Sequence, residues 1–134
     1  MTELVGAWRL ISFEERTADG EVVHPYGERP VGLLVYDASG RMSVQVMHSD
    51  RAPLSSDNLN EVAPEELRPA IEGFTAFFGR YEIDEETHTI THHVEGHVLP
   101  NSVGKSLKRR FELSDNRLIL MPAENRRVVW ERVS

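Results

Sequence analysis

Short runs in which apolar and polar residues alternate follow one another along the chain, cut by clusters of Gly, Pro, Asp, Asn and Ser. A period of two sends successive side chains to opposite faces, so these runs predict β-strands joined by tight turns. The strands read as Trp8 to Arg16, Glu21 to His24, Val31 to Tyr36, Arg41 to His48, Arg80 to Ile83, Thr87 to Glu95, Ser106 to Leu113, Arg117 to Met121 and Arg126 to Val133. Ala18-Asp19-Gly20 and Asp37-Ala38-Ser39-Gly40 are hairpin turns, with glycine free to take a positive φ. Asp84-Glu85-Glu86 and Ser114-Asp115-Asn116 mark two more turns.

One segment departs from this rhythm. Pro64-Glu65-Glu66 places proline at a first helical position and acids at the positive end of a helix dipole. Leu67, Ala70, Ile71, Phe74, Phe77 and Phe78 then fall at three- and four-residue spacing, which predicts an amphipathic helix that Gly79 ends. Pro69 lacks an amide donor, so a kink or a short first turn is expected there. Ser49 to Asn60 reads as a mobile loop, and loop plus helix make a candidate lid over one barrel mouth. The expected fold is all-β, a closed antiparallel barrel of about eight strands with one helix packed on or over it, because closure removes exposed strand edges.

Composition narrows the function. A length of 134 residues suits one domain, 1–134, with an adequate core. No apolar run reaches the roughly 20 residues of a membrane span. Met1 to Gly6 lacks the pattern of a secretory signal, and the absence of cysteine removes both disulfides and a thiol nucleophile, so a cytoplasmic location is the default. A net charge of −7 argues against nucleic acid. There is no nucleophile elbow around Ser43, no dinucleotide fingerprint and no zinc spacing.

Gly6-Ala7-Trp8-Arg9-Leu10 has the glycine-x-tryptophan opening of lipocalins and fatty-acid-binding proteins. Pro25-Tyr26-Gly27, Gly32 to Tyr36, Gly40 to Gln45, Pro64-Glu65-Glu66 and Gly79-Arg80-Tyr81 follow it. His92-His93-Val94-Glu95, Pro100-Asn101 with Gly104, Arg109-Arg110-Phe111-Glu112 and Trp130-Glu131-Arg132 complete a pattern over almost the whole chain. It resembles the bacterial and fungal lipocalin-like domain proteins. The resemblance implies a barrel whose first tryptophan plugs the closed end, and an interior that binds a hydrophobic molecule or, in some barrels of similar shape, acts as a cyclase or isomerase. Ser102 departs from it, standing where the family carries an aromatic.

Three groups of polar residues bear on that choice. Between Ser106 and Leu113, Arg109 shares a face with Leu107, Phe111 and Leu113, whereas Arg110 lies with Lys108 and Glu112. An inward guanidinium needs a partner, and Glu95, a ligand carboxylate or enolate, and the ring of Trp8 are the options. In the last case Arg109 seals the barrel floor. Between Thr89 and His97 one parity carries His93, Glu95 and His97, the other Ile90, His92 and Val94, and the period alone does not say which is inside. His93 and Glu95 are a candidate proton-transfer pair at the pocket wall, a solvent-facing stripe being the alternative. A metal held by two histidines and a carboxylate is disfavoured, since alternating side chains on one strand diverge. Asn101, Tyr36 and Tyr81 are candidate ligand contacts. Asn101 otherwise satisfies its own turn, and the tyrosines otherwise serve as good strand formers.

Two functions therefore stand. As a binding module, the barrel holds a small, largely apolar molecule with Arg109 or a tyrosine fixing its polar end. As an enzyme, the pocket holds a small natural-product-like intermediate while His93 and Glu95 move protons. A filled barrel serving protein interaction is the third possibility. The expected partner is a small apolar molecule, with neither nucleic acid nor membrane; no cofactor and no metal are called for, and a homodimer stays open.

Overall fold

Alternating strands with one apolar face bury it most completely by curling into a barrel, and this chain does so. The computed structural model describes residues 3–133. Its strands are β1 (Gly6–Arg16), β2 (Val22–Val23), β3 (Val31–Tyr36), β4 (Arg41–Met47), β5 (Phe74–Asp84), β6 (Thr89–His97), β7 (Ser106–Ser114), β8 (Arg117–Ala123) and β9 (Arg126–Arg132), with one helix, α1 (Pro64–Glu72), between β4 and β5. From β3 onward each strand pairs antiparallel with the next, and β1 pairs with both β3 and β9. That last pairing closes an eight-stranded antiparallel barrel. The two residues of β2 merely extend the end of β1, Glu15 facing Val23. Gly20 and Gly40 take φ of 85° and 94° in the two hairpin turns that the sequence marks.

The buried cluster runs down the barrel axis. Leu4, Trp8, Leu34, Tyr36, Ile90 and Leu118 are fully buried and fill one end. Trp8 donates its indole N–H to the Leu4 carbonyl at 3.1 Å. The Arg132 guanidinium lies over the same indole, 4.3 Å from its centroid, and donates to the Val5 carbonyl at 3.1 Å. Tryptophan and arginine thus form the floor. Arg109 has no part in it, which corrects the floor-seal alternative. In the register Trp8 faces Arg132 across β1 and β9, so closure itself brings the pair together.

The helix is shorter than its periodicity suggests. It ends at Glu72, capped by Gly73, whose N–H reaches the Pro69 carbonyl at 3.0 Å. Phe74, Phe77 and Phe78 belong to β5 instead. Pro69 has no N–H to continue the ladder, and the run Phe74-Thr75-Ala76-Phe77-Phe78 has the aromatic bulk that suits a strand and finds partners in β4 and β6. No residue of α1 is buried. No helix among the described residues is long and apolar enough to cross a membrane.

Candidate functional site

Above the floor the side chains do not fill the barrel. A cavity of about 210 Å³ lies there, lined from all eight closing strands and by Tyr26 of the β2–β3 connection. Leu34, Val44, Phe77, Leu107, Leu120 and Val128 form most of its apolar wall. Phe13 and Tyr26 pack edge to face on it, centroids 4.9 Å apart. No residue of 48–73 lines it, so the candidate lid contributes no side chain to the wall. The polar lining consists of Tyr26, Thr75, His92, His97, Arg109, Arg126 and the indole of Trp130, without any Asp or Glu.

β6 decides which histidines enter. Ile90, His92 and Val94 are buried, so this parity faces the interior and His93 and Glu95 face outward. Opposite Phe78 and Gly79 the register slips by one residue at Glu95, a β-bulge. A bulge reverses the parity beyond it, and His97 therefore returns to the cavity, its ring stacked on Phe77 at 5.3 Å. Gly79 is required at this crossing, because a Cβ there would run into the His93 carbonyl.

The expected proton-transfer pair is thus corrected. His93 sits on the outer wall, its Nε2 2.7 Å from Glu82 Oε2 and its Nδ1 2.9 Å from Ser106 Oγ. The His93 hydrogen bond holds the Glu82 carboxyl below the usual carboxylate range. Glu95 is exposed and pairs with Arg41 at 2.8 Å and with Arg80 at 3.4 Å. Neither touches the cavity, and with the bulge between Glu95 and His97 the three do not converge. Asn101 is exposed in a 3-10 turn, Pro100–Ser102, and does not line the cavity; nor does Ser102. Tyr81 is half-buried and donates its hydroxyl to the Asp37 carbonyl at 2.6 Å, tying down the β3–β4 turn.

Tyr36 and Arg109 do point inward. Tyr36 is fully buried beneath the cavity, its hydroxyl 2.7 Å from His92 Nε2. Burial raises the Tyr36 pKa against the opposing pull of the Arg109 charge, and burial together with that charge lowers the pKa of His92 to about 3, so both stay neutral. Arg109 is half-buried in the cavity wall, and burial lowers its pKa while neighbouring Tyr36 raises it. Its guanidinium makes no hydrogen bond or ion pair among the described residues, whereas the neighbouring Arg126 is held by Glu15 at 2.9 Å. Arg110 is exposed on the outer face. Sequence parity thus separates the two arginines correctly. It does not single out His92, His97 or Trp130; the apolar pair Ile90 and Val94 flanking His92 was the available signal for the first.

The chain belongs to the lipocalin-like domain family, whose model matches residues 5–133. Barrels of this kind suit small-molecule binding in general. Among solved structures it is similar to a lipocalin-like protein from Bacteroides uniformis, with 18% identity, a TM-score of 0.53, and 98% of this chain and 99% of that one covered. It is also similar to an uncharacterized protein from Bacteroides eggerthii, at 15% identity and a TM-score of 0.51, with 97% and 99% covered. These likenesses concern the fold. Comparison with curated proteins finds no match.

Proposed function

We propose that the protein binds a small, largely apolar molecule inside the barrel, with Arg109 fixing its polar end. The observation that carries this reading is a cavity of about 210 Å³ with a mostly apolar wall, lined from every closing strand, and one guanidinium unpaired among the described residues. A mostly apolar concavity with a few convergent polar groups is the usual form of a ligand site. Of the partners open to Arg109, Glu95 is engaged with Arg41 and Arg80 outside, and Trp8 is engaged with Arg132. The bound molecule is the one left. The cyclase or isomerase reading loses His93 and Glu95, and the dyad that does face inward, Tyr36 with His92, is held neutral in both members. The test is a fluorescence titration with a neutral naphthalene derivative, since Trp130 lines the cavity. Saturable one-to-one quenching is expected. Absence of saturable binding by any apolar probe of cavity size would overturn this reading.

A further inference from the structure

Resting on that reading, we infer that the ligand is an anion: an apolar body ending in a flat, acceptor-only head, a carboxylate or an equivalent enolate, received by a set of buried donors around Arg109. The first observation is the indole N–H of Trp130, which is buried without a partner although Trp130 lines the cavity. The second is His92, whose Nδ1 is equally buried and unpartnered. Its other nitrogen faces the Tyr36 hydroxyl, which has no other partner. A phenol is a stronger acid than a neutral imidazole, so Tyr36 donates to Nε2 and the ring proton resides on Nδ1. The third is His97, whose Nδ1 accepts from the Leu99 N–H at 2.9 Å, leaving the proton of a neutral ring on Nε2. Trp130, His92, His97 and Arg109, each with an N–H that has no acceptor among the described residues, thus all belong to the lining of one cavity, and no lining side chain is a carboxylate in a chain that carries 22 of them.

Unpaired buried donors are costly, and a cluster of them beside a cation is matched only by an acceptor of negative charge. A neutral alcohol would leave Arg109 without a counter-charge. The cavity volume limits the body to a bicyclic aromatic or a short chain.

The experiment compares naphthalene-2-carboxylate with naphthalen-2-ylmethanol, which share the ring system and differ in the head, at pH 7.5 by calorimetry. Tighter binding of the carboxylate by at least about tenfold is expected, with Arg109→Met collapsing the ratio of the two affinities towards one. Equal affinities in the wild type would overturn the anion inference while leaving apolar binding intact. Failure of both probes to bind would overturn the binding reading itself and this inference with it. A preference that survives Arg109→Met would overturn the assignment of the head to Arg109. Independently of any variant, an indole ¹⁵N–¹H spectrum of the wild type should show the Trp130 signal moving downfield with the carboxylate while that of Trp8, already bonded to Leu4, stays. Carboxylate binding without movement of the Trp130 signal would overturn the proposed donor set.

Discussion

Arg109 and Arg110 are adjacent in sequence and lie in different media, one in the cavity wall without a counter-ion and one in solvent. An unpaired, partly desolvated charge gives the empty protein nothing, so Arg109→Met should leave its stability unchanged or raise it by about 1 kcal/mol, read by urea denaturation. A large loss would return Arg109 to a structural role. On the outer wall, His93→Ala and Glu95→Ala remove exposed pairs worth about 0–1 kcal/mol and should leave ligand affinity as it is. Weakened binding in either would place that residue back at the site. His92 has the opposite character. Its folded pKa, about 3, lies below the ordinary histidine value, so the unfolded chain takes up the proton first on acidification. The stability it confers is complete above about pH 6.5 and is lost as the pH falls from there towards 3, at up to ~1.4 kcal/mol per pH unit. The lowered pKa of His97 acts in the same sense in both proteins, so the difference between wild type and His92→Gln isolates His92. Denaturation between pH 6.5 and 5, largely above carboxylate titration, should show a steeper acid loss for the wild type; parallel slopes would contradict neutral burial of His92.

At the scale of elements, the site depends on a discontinuity. Gly79 lets β5 pass close to the His93 carbonyl where β6 bulges, and the bulge at Glu95 turns His97 in. Gly79→Ala should cost more than about 2 kcal/mol in chemical denaturation, since backbone rather than a flexible side chain must give way. A cost below about 0.5 kcal/mol would mean that the crossing is looser than its geometry. The same discontinuity explains which parts were legible beforehand. Strands with turn residues at both ends, such as β3 over Val31–Tyr36, have the predicted bounds, because alternation and turn chemistry agree there. In β5 they conflict. Phe74, Phe77 and Phe78 satisfy helical spacing as well as strand composition, and only pairing with β4 and β6 resolves the ambiguity. Parity in β7 held because that strand runs without a slip, so Arg109 was recognisable. Parity in β6 fails at Glu95, and nothing local in the sequence announces a bulge whose glycine, Gly79, sits on the neighbouring strand.

For the whole molecule, closure is what makes a cavity out of eight half-apolar strands. The β1–β9 pairing leaves no free edge around the ring and sets Trp8 against Arg132 as a floor, so that space remains only above it. A ligand held there binds the closed barrel and has no site on the unfolded chain. Its binding free energy therefore adds to folding by mass action, about 2.7 kcal/mol at a free concentration one hundred times Kd. For a chain of 134 residues that corresponds to a rise in Tm of roughly 10 °C. The expected result with naphthalene-2-carboxylate is a concentration-dependent rise of this order. Val128, buried on the cavity wall, provides the control. Val128→Phe places a ring in the space, at an overpacking cost of about 1–3 kcal/mol where neighbours must move and less where the void accepts it. A folded Val128→Phe protein should show no ligand-dependent rise at the same concentrations. A rise equal to that of the wild type would locate the bound molecule outside the barrel, on a surface that closure does not create.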